Sequence, residues 1–135
     1  MKYFTLSELT NSATAKRKGI DNTPDGKQKA NLTALVANVL DPLREAYGKP
    51  IVVSSGFRCP KLNRVVGGVA KSQHTTGEAA DIHTLSDYPS DNKKLFQLIQ
   101  KLGLPFDQLI DEYNYNWIHV SFSLGRNRKQ IIHVK

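Results

Sequence analysis

One short stretch of the chain brings chemically reactive side chains close together: SQHTTGEAAD, from Ser72 to Asp81. Gly77 permits a backbone turn between His74 and Asp81, because glycine adopts conformations that are closed to other residues. The small residues Ala79 and Ala80 let neighbouring elements approach closely. We therefore expect the stretch to turn after His74 and to enter a β-strand that contains Asp81.

A second histidine lies in the later run Trp117-Ile118-His119. His74, Asp81 and His119 together offer two imidazoles and one carboxylate, a set that binds zinc and leaves its fourth position open for water. Open sites of this kind are typical of catalytic zinc, so the residues alone indicate a metallohydrolase. The alternative for Asp81 is a buried ion pair with Arg58, since an unpaired buried charge is costly.

A carboxylate near the second histidine is a candidate for proton transfer. Two β-prone runs flank the loop Tyr113–Asn116, which has the length of a hairpin loop. If the hairpin closes with Glu112 opposite Trp117, Ile110 and Glu112 share a sheet face with His119. Glu112 is then placed to accept a proton from an attacking water. The alternative is that Glu112 is a surface acid at a strand end.

The remaining hydrophobic pattern predicts an α+β fold. Apolar residues recur at helical spacing from Leu32 to Tyr47, and Pro42 inside this pattern is expected to bend or divide the helix. A second amphipathic helix is expected between Ser90 and Gly103. Strands are predicted at five β-prone runs: Ile51–Ser55, Ala79–His83, Phe106–Glu112, Trp117–Ser123 and Gln130–Val134. We expect the strands of the last part of the chain to be antiparallel.

The length of 135 residues fits one domain spanning residues 1–135, large enough to bury a core without disulfides. Cys59 is the only cysteine, so it has no partner in the chain. No apolar run reaches the length of a signal peptide or of a membrane span. We therefore expect a chain without a membrane segment that stays in the cytoplasm until it is released, and we expect a monomer.

The net charge of +7 favours an anionic partner, because a positive surface field speeds encounter with polyanions. Cell-wall polymer and nucleic acid both fit this charge, and the alternative is that the basic residues are ordinary solvated surface. The runs Lys16–Lys18 and Arg126–Lys129 are too short to mark binding tails. Since no nucleic-acid-binding motif is present, we expect no nucleic acid partner.

Four further segments accompany the two histidine segments: Ser55–Arg58, Leu62–Asn63, Gly67–Gly68 and Phe106–Glu112. Together the six segments resemble the zinc D-alanyl-D-alanine carboxypeptidase family, which includes phage and bacterial peptidoglycan endopeptidases. The resemblance extends from about Phe4 to Phe122, and the two histidine segments together are far more specific than either alone. It implies a small antiparallel sheet flanked by helices, with a zinc site at the sheet face.

The resemblance also implies an activity, namely hydrolysis of peptide bonds in the stem peptides or crosslinks of peptidoglycan in the cell wall. It makes His74, Asp81 and His119 the zinc ligands. It further implies that Arg58 contacts the substrate carboxylate or the developing oxyanion, and that Ser72 supports substrate binding.

The chain departs from the family pattern at one position. In several branches the general base is an acid three residues before the last histidine, and here that residue is Asn116, whose amide takes up no proton. Either Glu112 serves as the base from the neighbouring strand, or the chain is a non-catalytic, zinc-stabilised module that binds peptidoglycan. We favour Glu112 as the base.

Overall fold

The computed structural model describes residues 1–135 as a mixed five-stranded sheet combined with helices. The α-helices are α1 (Leu6–Thr10), α2 (Ala13–Lys18), α3 (Gly26–Leu35), α4 (Asp41–Tyr47), α5 (Pro60–Val65) and α6 (Pro89–Lys101). A π-helical turn (Val36–Leu40) joins α3 to α4, and a 3₁₀ turn (Gln73–Thr76) precedes the second strand. The strands are β1 (Ile51–Ser55), β2 (Ala79–Thr84), β3 (Gln108–Glu112), β4 (Trp117–Ser121) and β5 (Gln130–Val134), in the spatial order β1-β2-β4-β3-β5.

The long helical segment is divided as its proline predicts. Pro42 has no N–H to donate and its ring crowds the preceding turn, so a regular α-helix cannot pass through it unchanged. The chain widens into the π-helical turn directly before Pro42, where the Asp41 N–H donates to the Val36 carbonyl. The segment ends at Gly48, which has a φ of +76°.

One hydrophobic core of 21 buried residues joins this helical segment and α6 to one face of the sheet. From the sheet it includes Ala80, Ile82, Leu109, Ile118 and Val120. Because strand side chains alternate between faces, the residues between these point to the opposite face, which holds Asp81, Ile110 and His119. None of the helices combines the length and the apolar character needed to cross a bilayer.

The β3–β4 hairpin has the predicted register. In the β3–β4 hairpin, Glu112 is opposite Trp117 and Ile110 is opposite His119. Between β2 and β4, Asp81 is opposite His119. Because directly opposed residues share a face, these pairs place Asp81, His119 and Glu112 on the face away from the helices.

The expectation of an antiparallel sheet is wrong for one pair, since β5 runs parallel to β3. β4 is antiparallel to β3, so it ends beside the start of β3, where the Asp107 N–H donates to the Ser121 carbonyl. The short connection that follows keeps the chain at this end, and Gln130 begins β5 opposite Gln108. A strand that starts there and takes the free edge of β3 must run in the same direction as β3.

The loop between β3 and β4 has an unusual backbone that a buried side chain supports. Three consecutive residues, Tyr113, Asn114 and Tyr115, have φ values between 52° and 66°, in the left-handed region that non-glycine residues seldom adopt. Asn92 on α6 is fully buried and donates to the carbonyls of Tyr115 at 3.0 Å and Asn116 at 3.2 Å. Helix α6 therefore holds the hairpin loop in this conformation.

Candidate metal centre

The structure brings the three predicted ligands together at the open face of the sheet. His74 comes from the 3₁₀ turn, Asp81 from β2 and His119 from β4. His119 Nδ1 lies 3.1 Å and His74 Nε2 lies 3.4 Å from the same oxygen, Asp81 Oδ1. One potential ligand atom from each residue lies within 4.8 Å of the other two. The cluster is therefore compact enough for its three donors to share one cation.

The backbone around Gly56 orients His74. His74 Nδ1 lies 2.7 Å from the Gly56 carbonyl oxygen. A carbonyl oxygen accepts and never donates, so Nδ1 holds the proton and Nε2 of the neutral ring is a free acceptor. Only glycine fits at position 56, because a Cβ there would lie 2.1 Å from the Leu9 carbonyl oxygen. The approach of this loop to α1 thus decides which nitrogen of His74 faces Asp81.

The chemistry of the donor set fits a divalent cation. His74 Nε2 in the neutral ring and Asp81 Oδ1 are both acceptors, and they face each other at 3.4 Å with both residues buried. Two facing lone pairs repel unless a proton or a cation lies between them. Two imidazole nitrogens and one carboxylate oxygen suit zinc among the common divalent metals. The residues present therefore fit the metal that the sequence predicts.

Asp81 is ionised in this setting. Burial raises the pKa of its carboxyl group, but the adjacent imidazoles of His119 and His74 together outweigh burial and hold the pKa below its usual range. Its second oxygen, Oδ2, lies 3.5 Å from Arg58 Nη2. The two hypotheses for Asp81 are thus compatible, because the histidines face one oxygen and the guanidinium faces the other.

Arg58 is held by three side chains and keeps N–H groups free. Its Nε donates to Ser55 Oγ at 3.0 Å and its Nη1 to Asn63 Oδ1 at 3.3 Å. With the Asp81 contact these use three of the five N–H groups of a guanidinium, and one remains on each Nη atom. Arg58 lines the cleft above the cluster, so these groups are available to a bound molecule.

A cleft of about 490 Å³ opens over the group formed by His74, Asp81 and His119. Glu112 lines it together with the three predicted ligands and Arg58. Burial and the neighbouring Asp81 carboxylate raise the pKa of Glu112. The rings of Tyr113 and Trp117, with centroids 5.3 Å apart, form part of one wall. The predicted hairpin register therefore brings Glu112 to the same cleft as the ligands.

The other candidate residues have different surroundings. Ser72 lines the cleft, and its Oγ accepts a hydrogen bond from the His74 N–H at 3.2 Å, so it also caps the 3₁₀ turn. Asn116 is exposed and does not line the cleft. A further histidine, His83, shares a face with Asp81, but its Nδ1 donates to the Thr84 carbonyl at 2.7 Å.

Several residues around the site were not predicted. Asn63 and Ser55 hold Arg58. Gln73, next to His74, lines the cleft and donates to Asp107. Ser55 and Asn63 are close to Arg58 along the chain and belong to segments that carry the family resemblance. The Gln73–Asp107 contact joins distant segments, and the sequence offers no signal for it beyond the proximity of Gln73 to a predicted ligand. Near the C-terminus, His133 contacts buried Asp111 on the adjacent strand.

Comparison of the sequence with known families finds a match. A family model described as Peptidase M15 matches residues 2–121. The matched region contains all three predicted ligands together with Arg58, Ser72 and Glu112. No curated protein matches the chain.

Proposed function

The chain belongs to the peptidase M15 family, and on that premise we propose that it is a zinc metallopeptidase that hydrolyses peptide bonds in bacterial peptidoglycan. The substrate bonds are those of the stem peptides or their crosslinks, cut by a carboxypeptidase or an endopeptidase reaction. The net charge of +7 supports this choice, because a positive surface favours encounter with an anionic cell-wall polymer.

A single observation supports the proposal most strongly. The donor atoms of His74, Asp81 and His119 converge beneath an open cleft that is also lined by Glu112 and Arg58. Zinc held by the three ligands would polarise the scissile carbonyl and increase the acidity of water. A closed structural site would have a fourth protein ligand, whereas this group has three residues.

Glu112 is the residue best placed to move the proton. Its carboxylate takes a proton from the water that attacks the scissile carbonyl carbon. It then returns the proton to the amide nitrogen as the carbon–nitrogen bond breaks, so the amine leaves uncharged. The raised pKa of Glu112 suits both steps, because a base with a very low pKa would hold the proton too weakly.

Arg58 has the geometry to bind negative charge on the substrate. Its two free N–H groups form a planar fork that fits a carboxylate or the oxyanion of a tetrahedral intermediate. The contacts with Ser55, Asn63 and Asp81 hold the guanidinium in place before the substrate arrives. Less reorganisation is then needed during the reaction.

The test is incubation of purified peptidoglycan with the zinc-loaded protein, followed by mass spectrometry of the released muropeptides. We expect new peptide termini, and we expect none with the His74→Ala protein or after zinc is removed by a chelator. Binding to peptidoglycan without any new terminus at any pH would instead support a zinc-stabilised binding module, the function that Asn116 at the usual base position favours.

A further inference from the structure

The C-terminal segment, residues 122–135, lies outside the region matched by the family model. One of its side chains nevertheless reaches a buried charge. Arg128 Nε donates to Asp107 Oδ1 at 2.8 Å, and Arg128 Nη2 donates to Asp107 Oδ2 at 3.0 Å. The Arg128 backbone N–H adds a third bond to Oδ1 at 3.1 Å. Asp107, directly before β3, is thus held by both main chain and side chain of the segment.

The same carboxylate also holds the turn that contains a predicted ligand. Asp107 Oδ2 accepts a hydrogen bond of 2.8 Å from Gln73 Nε2. Gln73 begins the 3₁₀ turn and is the neighbour of His74, and its carbonyl accepts from the Glu78 N–H at the far end of the turn. A continuous path of hydrogen bonds therefore runs from Arg128 through Asp107 to the turn that places His74.

Gln73 depends on this path for its position. Its Oε1 is buried and has no hydrogen-bond partner. A buried acceptor without a partner costs roughly 1 to 3 kcal/mol. The hydrogen bond from Gln73 Nε2 to Asp107 offsets this cost and is what favours the observed rotamer. If Asp107 moved, the amide would gain by rotating to satisfy Oε1 elsewhere.

The pairing of β5 with β3 attaches the C-terminal segment to the sheet, and this pairing does not involve the Arg128 side chain. The two strands pair from Gln108 with Gln130 to Glu112 with Val134. The Arg128 side chain is 45% exposed, but the Asp107 side chain is buried, so loss of the pair costs stability as well as releasing Asp107. The orientation of Asp107 and Gln73 is therefore measured separately from stability, through the metal-binding geometry of His74.

We propose that Arg128, Asp107 and Gln73 form a brace through which the C-terminal segment holds His74 in position to bind the metal. The three are positioning residues, because they act through His74 and contact no reacting atom. This inference rests on the proposed function, since it presupposes that His74 binds zinc.

The test measures zinc binding by the unaltered chain and by four variants, the fourth being Arg128→Lys. Arg128→Gln removes the charge and the fork, and Gln73→Met removes the bond to Asp107 while leaving the Asp107–Arg128 pair intact. Arg126→Gln is the matched control, because Arg126 is exposed in the same loop and its side chain makes no hydrogen bond. Zinc Kd is measured by competition with a chelating indicator, and the visible spectrum of the Co²⁺-substituted protein reports ligand geometry.

We expect Arg128→Gln and Gln73→Met each to raise the zinc Kd about tenfold or more, the effect of losing a residue that supports a ligand. Both should alter the Co²⁺ spectrum, Arg128→Lys should restore part of the affinity, and Arg126→Gln should match the parent. An unchanged Kd and spectrum in both variants, even with a lower Tm, would overturn the brace and leave the proposed function intact. Absence of zinc binding by the unaltered chain would overturn the proposed function and this inference with it.

Discussion

At the scale of single residues, the position of one carboxylate decides what the site can do. Glu112 and Asn116 are at opposite ends of the hairpin loop, and the Asn116 N–H donates to the Glu112 carbonyl at 2.9 Å. Glu112 lines the cleft, whereas Asn116 is exposed outside it. The absence of an acid at position 116 is therefore compatible with catalysis by Glu112.

Glu112→Gln keeps the shape of the side chain but removes its ability to take up a proton. We expect kcat on a peptidoglycan peptide to fall by roughly 10² to 10⁴, the effect of losing a general base. Zinc content should be unchanged, because Glu112 is outside the ligand group. Asn116→Asp is the control and should leave activity unchanged. Full turnover by Glu112→Gln would place the base elsewhere.

Arg58→Lys keeps the charge but loses the planar fork that fits a carboxylate or oxyanion. We expect the variant to retain zinc and to lose roughly 10² in kcat, as when one oxyanion donor is removed. Arg64→Lys, an exposed change on α5, is the control. A lower Tm with normal turnover per folded molecule would mean that Arg58 serves mainly as the ion-pair partner of Asp81.

At the scale of elements, the β3–β4 hairpin depends on α6 as well as on its own pairing. Asn92 Oδ1 accepts from the Thr84 N–H at 2.9 Å, while its amide donates to the carbonyls of Tyr115 and Asn116. One buried side chain thus joins the end of β2 to the hairpin loop. The hydrogen bonds offset the cost of the left-handed backbone in that loop.

Asn92→Ala leaves the buried Thr84 N–H and the partly buried carbonyls of Tyr115 and Asn116 without this partner. We expect the free energy of unfolding to fall by roughly 2 to 4 kcal/mol, because each unsatisfied buried group is costly. Urea unfolding measures the change. Gln97→Ala, at an exposed position on the same helix, should change stability by less than about 0.5 kcal/mol. Equal effects of the two substitutions would contradict the role given to Asn92.

Asp107 makes the junction between β3 and the C-terminal segment sensitive to acid. Hydrogen bonds from Arg128 lower the pKa of Asp107 to about 2. A pKa lowered by folding stabilises the native state above the unfolded value of about 3.9, and this stabilisation is lost as pH falls through the folded value. The difference in unfolding free energy between the parent and Asp107→Asn should therefore shrink between pH 4 and 2. Urea unfolding at a series of pH values tests this, and a constant difference would contradict the lowered pKa.

At the scale of the whole molecule, the core does not depend on the metal. The 21 buried residues of the core lie on the helical face of the sheet, whereas Asp81 and His119 lie on the opposite face. The fold therefore has its main stabilisation on the side away from the site. We therefore expect metal binding to add stability to a chain that is already folded.

Zinc removal should lower the Tm without unfolding the protein. A ligand present at about 1,000 times its Kd stabilises the native state by about 4 kcal/mol, so zinc should raise the Tm by several degrees. The His119→Ala protein should show no such shift, and His83→Ala should behave as the parent. Far-UV circular dichroism after chelation should stay native. Unfolding on chelation would instead make the metal a structural requirement.

Much of the site was predictable because strand geometry is local. Hydrophobic alternation placed Ile118 and Val120 on the core face and His119 on the other, and the loop length set Glu112 opposite Trp117. The helical spacing of apolar residues, together with Pro42, predicted the divided helix. These features follow from repeats of two or 3.6 residues and from the covalent geometry of proline. The roles of His74, Asp81, His119, Arg58, Ser72 and Glu112 stay predictions.

Other features were decided only by the tertiary structure, because they join residues that are distant in sequence. The direction of β5 depends on the connection after β4, which keeps the chain at the end of the sheet where β3 begins. The tautomer of His74 depends on the Gly56 carbonyl, and the position of Gln73 depends on Asp107 and Arg128. No local pattern specifies such contacts, since hydrogen bonds between side chains and distant segments form only after the core has brought those segments together.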